Sequence, residues 1–173
     1  MNWIVRFKNR VTAKIIGIFP SVAKVFTASY KPLESREDIA STPLRKRLRY
    51  SKVAIVTTAG VHHKNQVPFD MKDPNGDPTF RIIDVRKPLE DFMITHDYYD
   101  HKGADKDINI VFPVDRLREF EKEGIIGRLA DIHYGFMGHI IGPHIDTLIT
   151  ATAPDVAERL KTDDVDIVLL TPG

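Results

Sequence analysis

The chain has 173 residues, no cysteine, 42% hydrophobic and 28% charged residues, and a formal net charge of +1. That length fits one domain with a short appendage, and a core of that size needs no covalent staples. The lack of cysteine excludes disulfides, thiolate metal centres and thiol catalysis within these residues, the ordinary polarity excludes global disorder, and the near-neutral charge gives no overall attraction to nucleic acid.

The charge is unevenly spread. Residues 1–50 carry 11 Lys and Arg against 3 Asp and Glu, whereas residues 51–173 carry 14 against 21. A basic segment therefore precedes an acidic body. Two readings of that segment are open: it docks on its own body or a second copy of the chain, or it meets a membrane surface or another anionic partner.

Residues 2–17 read as an amphipathic helix. Ile4, Phe7, Val11, Ile15 and Ile18 recur every three or four positions, with Arg6, Asn9, Arg10 and Lys14 off that stripe. Pro20 interrupts it, and a short second helix is expected around Val22–Ala28. The longest early apolar run, Ile15–Phe19, is far short of the roughly 20 residues a bilayer requires. The recurring charges do not match a signal peptide, so a cytoplasmic location is expected. Residues 30–50 read as a polar linker ending in the basic run Arg45–Arg49.

The body begins with Lys52–Thr57, a β-branched strand closed by Thr58-Ala59-Gly60 and expected to be buried on both faces. Residues 64–79, punctuated by Pro68, Pro74, Gly76 and Pro78, read as a long loop. Phe80–Asp84 and Phe92–Thr95 read as short strands, residues 96–107 as a polar His- and Asp-rich connection, and Ile108–Phe112 as a buried strand. Val114–Glu123 is expected to be helical and to stop at Gly124. A short helix is expected over Ile126–Ala130, a glycine-rich turn over residues 133–143, and helix over residues 144–151. Thr152 and Asp155 suggest a capping box opening a further helix to Lys161, before a final buried strand, Val165–Leu170. The alternation implies an α/β fold: a Rossmann-like, mostly parallel sheet flanked by helices, over residues 51–173, with residues 1–50 as a basic helical arm and linker.

The last strand is followed by Thr171-Pro172-Gly173, where an α/β sheet would begin a strand-to-helix loop. Ligands of open α/β sheets bind at the carboxyl ends of the strands. The domain is therefore expected to be incomplete at its C-terminal side; the other reading is that this strand simply ends the sheet.

Several stretches together resemble one family. They are Val56–His62 with Pro68-Phe69-Asp70, Thr95-His96-Asp97-Tyr98-Tyr99-Asp100, Val111–Leu117, Gly124–Gly127, His133–Gly138 and the closing Val168–Pro172. Their order and spacing resemble the selenoprotein B component of the glycine, sarcosine, betaine and D-proline reductases, most of all the short, stand-alone bacterial members. The resemblance implies reductive cleavage of a carbon–nitrogen bond in a small amino-acid-like or betaine-like substrate. A selenolate or thiolate would attack the carbon bearing the amine, with a protein electron donor, and the protein could be a homo-oligomer. It also implies a redox motif, Cys-x-x-Cys or its selenocysteine form, just after Gly173. A selenocysteine codon read as stop would account for its absence; an artificial end to the chain or a member that has dropped the motif are the alternatives. No cofactor is then expected within the chain itself, which would be inactive alone.

A substrate carboxylate needs hydroxyl and backbone donors at a strand-to-helix loop. Thr57, Thr58 and Gly60 are the first candidates, and His62, Asp97, Tyr134 and Thr171 lie in the family-like stretches. All seven histidines fall between residues 62 and 144. Of these, His96 and His133 are the candidates for a general acid or base toward the leaving amine. Phe136, Met137 and Phe69 would line a pocket. Two rivals stand beside this: a non-catalytic binder of small carboxylates, and a metal-dependent hydrolase using His96, Asp97, Asp100, His101, Asp105 and Asp107. No recognised metal-ligand signature is present, and no metal is expected.

Overall fold

A computed structural model describes residues 3–18 and 42–173. The helix expected near Val22–Ala28, and most of the linker, lie outside the described residues. Helix α1 covers Trp3–Ile18 and β1 covers Lys52–Thr57. After β1 come β2 (Val61–His63), β3 (Arg81–Asp84) and β4 (Phe92–Ile94). Helix α2 spans Val114–Lys122, followed by β5 (Arg128–Leu129) and β6 (Ile132–Gly135). Helix α3 (His144–Thr147) runs through a π turn, Leu148–Thr152, into α4 (Ala153–Thr162), and β7 covers Ile167–Thr171.

The sheet is mixed and mostly parallel. Strand β1 pairs in parallel with β7 on one side and with β5 and then β6 on the other. Strand β3 joins β6 antiparallel, and β2 and β4 form a separate antiparallel pair. Side chains alternate along β1. Val53 and Ile55 enter a core with Ile83, Phe112, Val114 and Leu117, so α2 covers that face. Ala54 and Val56 face the other way, toward Tyr134, Phe136, Val156 and Leu160, so α4 covers the second face. This two-sided burial is why the strand reads as a continuous apolar run.

Helix α2 stops where expected. Gly124 adopts φ +70, and its N–H bonds Glu121 O at 3.0 Å.

Several expectations are corrected. Ile108–Phe112 is no strand: Ile108–Ile110 forms a 3₁₀ turn capped by the Asp107 side chain on Asn109 N, and Val111 and Phe112 are buried from irregular backbone. Ile126–Ala130 is not helical, because Arg128 and Leu129 pair with Lys52 and Val53. Residues 133–135 belong to β6, so the glycine-rich turn begins only after it. Thr152 caps nothing: it has helical φ −76 and ψ −38, makes no side-chain cap bond, and the helix runs through it from α3. Strand β7 is not buried; Leu170 is 72% exposed. Among the described residues β7 pairs only with β1, which leaves one edge and much of both faces open.

The loop over residues 64–80 is ordered by two charges. Asp77 accepts from Asp70 N, Thr79 N, the Thr79 hydroxyl and Arg81 Nη2. Arg81 also donates to the carbonyls of Val67, Pro68 and Phe80 and stacks 4.3 Å from the Phe69 ring. These bonds hold the Asp77 carboxyl below the usual range although burial opposes this.

Candidate functional site

The parallel strands β1, β6 and β7 end at one edge, and the chain segments beyond them meet there. Thr58 N donates to Thr171 O at 2.9 Å, and Gly60 N to Phe136 O at 2.9 Å. Ala59 bridges Met137 antiparallel. Gly60 needs φ +75, and a Cβ there would lie 2.5 Å from Thr95 O, so the chain after β1 is pressed against the end of β4. That contact delivers the loop after β4, beginning at Thr95-His96-Asp97, to the same edge.

His96 is buried and stands over Gly138. Gly138 N points at its Nε2 at 3.0 Å, and Tyr98 N points at its Nδ1 at 3.1 Å. A neutral imidazole has one unprotonated nitrogen, so it accepts only one of these bonds at a time. Burial, helped by His101 and His139, lowers the His96 pKa to about 4. The ring is therefore neutral at pH 7 and must gain a proton before it can act as an acid. Tyr99 Oη donates to Ala59 O at 3.0 Å, and burial drives its pKa upward, which keeps it a phenol. Asp97, also buried, accepts from Arg10 Nε of α1 at 3.0 Å.

Two expected substrate contacts have other work. Thr57 and Thr171 face one another across β1 and β7, and both hydroxyls donate to Val111 O. Thr57 Oγ1 also accepts from Ala59 N at 3.2 Å. They fasten the strand ends to the loop before α2. Thr58, half-buried, stands beside them.

Thr57, Thr58, Gly60, His96, Asp97 and Thr171 thus share one edge. His62 lies one layer away, with Nε2 on Thr95 Oγ1 and Nδ1 on His63 O, each at 2.8 Å. His133 and Tyr134 do not join the group. They point to opposite faces of β6, and Tyr134 sits in the core under α4. His133 Nδ1 accepts from Ile55 N at 2.7 Å and its Nε2 bonds Ala130 O at 2.9 Å, so both nitrogens are used inside the sheet. Burial puts its pKa at about 4. Phe69 and Met137 pack together in a small separate core with Met71, while Phe136 joins the core under α4.

Among the described residues no three His, Asp or Glu side chains converge as a metal-ligand set. The expected rival ligands are otherwise engaged, with His101 Nδ1 on Asp105 Oδ1 at 2.8 Å and Asp107 capping Asn109. Among the same residues no helix is long and apolar enough to cross a membrane. Sequence reasoning misses Gly138, whose amide faces His96, and Arg10, which reaches Asp97 from far along the chain. A Gly-x-x-Gly turn after β6 signals the first; nothing in the local sequence signals the second.

Comparison with known proteins places this edge in context. Residues 22–173 match the family described as Glycine/sarcosine/betaine reductase selenoprotein B (GRDB). The D-proline reductase subunit gamma of Acetoanaerobium sticklandii is 42% identical over 132 residues, which is 76% of this chain and 52% of that protein. The glycine reductase complex component B subunit gamma of Symbiobacterium thermophilum is 32% identical over 148 residues, 84% of this chain and 34% of that protein. The sarcosine reductase complex component B subunit beta of Peptoclostridium acidaminophilum is 33% identical over 147 residues, 81% and 32% respectively. The chain spans about half the length of the first of these relatives and about a third of the other two. No solved structure matches it.

Proposed function

The chain belongs to the glycine/sarcosine/betaine reductase selenoprotein B family, and on that premise we propose that it is the substrate-facing part of a selenol- or thiol-dependent reductase. Its reaction would be the reductive cleavage of a carbon–nitrogen bond in a small amino-acid-like or betaine-like substrate. The observation that carries this reading is the convergence of the ends of β1 and β7 and the turn after β6 on the buried ring of His96. The 173 residues contain no cysteine, so the selenol or thiol, which would supply the reducing nucleophile, lies outside them. We place it beyond Gly173, as a Cys-x-x-Cys motif or its selenocysteine form.

The edge suits such a group. Gly173 lies against Ala59 so closely that a Cβ on it would sit 2.2 Å from Ala59 Cα, which holds the chain beyond Thr171 against the end of β1. Arg10 and Lys14 border the adjoining cavity and provide positive charge, which lowers the pKa of a nearby selenol or thiol. His96 accepts one of its two backbone N–H groups and leaves the other to an incoming carboxylate. If the ring proton sits on Nε2, the Gly138 amide and the Thr58 hydroxyl are the donors for that carboxylate. Thr57 and Thr171 act as positioning residues through Val111. The same reading takes the sheet as a Rossmann-like core and residues 1–50 as a basic arm and linker. It describes a cytoplasmic protein, possible as a homo-oligomer, that works with a protein electron donor.

The test is to express the gene through and beyond the codon for Gly173, and to assay amine release from glycine, sarcosine and betaine, and ring opening of D-proline to an open-chain amino acid, with a dithiol reductant. The longer product is expected to release amine or open the ring, and the 173-residue chain to do neither. If no cysteine or selenocysteine is encoded downstream, the reading fails and the chain is a non-catalytic binder of small carboxylates.

A further inference from the structure

The apolar stripe that marks helix α1 in the sequence is not the face by which the helix docks. Arg10 Nε donates to Asp97 at 3.0 Å, the Asn9 side chain bonds Tyr98, and Ala13 is 8% exposed. Asn9 and Ala13 stand two positions either side of Val11, about 160° round the helix from it. Phe7, Val11 and Ile15 remain 61%, 37% and 44% exposed. Spaced four apart, they form one ridge on the side away from Asn9 and Ala13. The helix lies outside residues 22–173, which match the family, so this ridge is not part of the shared sequence.

The charges are arranged about the same residue. Lys8 and Lys14 stand three positions either side of Val11, about 60° round from it, and flank the ridge. Helix α1 carries Arg6, Lys8, Arg10 and Lys14 and no carboxylate. Residues 96–107 carry Asp97, Asp100, Asp105 and Asp107 against Lys102 and Lys106. Phe7, Val11 and Lys14 line one side of the cavity beside His96, and Asp100, Lys102 and Asp105 the other. An anionic lipid surface laid on the ridge would meet carboxylates at its rim. A second basic helix meets them with the opposite sign.

We infer that the ridge is the contact surface for a second copy of this chain, with two α1 helices packed antiparallel about a two-fold axis at Val11. The patch is then self-complementary. Phe7 of each helix lies against Ile15 of the other, and the basic flanks of each meet the Asp100 side of the other. Ridges of residues four apart interlock at a crossing angle of about −50°, with the axes about 8–10 Å apart. The antiparallel sense also sets the helix dipoles in opposition. A second helix laid on Phe7 and Val11 covers the open side of the cavity those residues line, so each copy helps to close the other's.

Sedimentation equilibrium of the full chain without lipid tests this, and a monomer–dimer equilibrium is expected. Val11→Glu and Ile15→Glu, which place an unpaired carboxylate in the contact, are each expected to weaken it at least tenfold with the circular dichroism unchanged. Val67→Glu, at an exposed residue on another surface, is expected to dimerise like the parent. The absence of cysteine gives a second readout. Under a mild oxidant Val11→Cys is expected to form a disulfide-linked dimer. Phe7→Cys and Ile15→Cys are each expected to form none alone, because the crossing holds position 7 about 12 Å along the axis from its own copy, too far for a disulfide. The two mixed together are expected to crosslink. A chain that stays monomeric at every concentration, a dimer indifferent to both glutamates, or equal crosslinking at all three positions overturns the inference. So does a monomer that binds phosphatidylserine vesicles through the ridge, which would assign it to lipid.

Discussion

Thr57 and Thr171 lie opposite one another across β1 and β7, and their hydroxyls share a single acceptor, Val111 O, at 3.1 and 2.7 Å. One carbonyl thereby ties two strand ends to the loop before α2. The two positions differ in one respect: Thr57 Oγ1 also receives Ala59 N. Thr57→Val leaves that amide without its partner and is expected to cost about 1–3 kcal/mol, whereas Thr171→Val, with Thr57 still on Val111 O, is expected to cost about 1 kcal/mol. Urea unfolding of the two variants and the double variant checks this. Equal costs that add without interaction would contradict the shared-acceptor account.

His96 and His133 give the protein a pH response whose sign follows from burial. Both have folded pKa values of about 4, below the ordinary histidine value. Their contribution to stability is fully present above the unfolded pKa near 6.5. It falls as the pH drops toward 4, because the unfolded chain takes up the protons first, and it levels off below 4. The loss across that window is roughly 3 kcal/mol for each ring. Urea midpoints measured from pH 7.5 to 4 should fall accordingly, and NMR titration of the two rings should show no protonation at pH 6. A midpoint near pH 6.5 for either ring would contradict its placement.

Gly60 and Gly124 both have positive φ, yet their surroundings differ. A Cβ at Gly124 meets nothing within 4 Å, while one at Gly60 lies 2.5 Å from Thr95 O. Gly124→Ala is expected to cost about 1 kcal/mol, the penalty of the left-handed conformation alone. Gly60→Ala adds the collision with β4 and is expected to cost on the order of 3 kcal/mol. It should also shift the NMR signal of His96, which follows Thr95 directly. Thermal unfolding and the His96 ring signal together check the pair.

Arg81 holds its loop through five acceptors: Val67 O, Pro68 O, Phe80 O, Thr79 Oγ1 and Asp77 Oδ2. A lysine ammonium lacks the planar fork that reaches them together. Arg81→Lys is expected to cost about 2 kcal/mol and to speed amide exchange at Asp70 and Thr79, whose N–H groups bond Asp77. Exchange unchanged at those two amides would show that the loop is held by other contacts.

The elements legible in the sequence are those whose pattern is local. Strand β1 is apolar from Val53 to Val56 because α2 and α4 cover its two faces, and α2 ends at Gly124 because the turn demands a left-handed residue. Val111 and Phe112 read as strand because buried irregular backbone selects the same apolar residues as a buried strand. Strand β7 reads as buried for the same reason, and its exposure follows from having one pairing partner among the described residues. The cap assigned to Thr152 fails because a π turn lets α3 continue into α4, which residue preferences do not reveal. The clustered histidines are near one another in sequence but divided by strand parity and register. His133 turns into the sheet, while His96 follows β4 to the strand ends. The Arg10–Asp97 pair spans 87 positions and leaves no local trace.

The claim on which the account rests is that the strand ends around His96 receive a small substrate carboxylate. Amide NMR of the full chain during titration with glycine, sarcosine, betaine and D-proline tests this directly. The account predicts saturable shifts at the amides of Thr58, Gly60, Tyr98 and Gly138, with the sheet interior at Ile55 and His133 unmoved. Saturable shifts confined to another part of the molecule, or none with any of the four compounds, would contradict it.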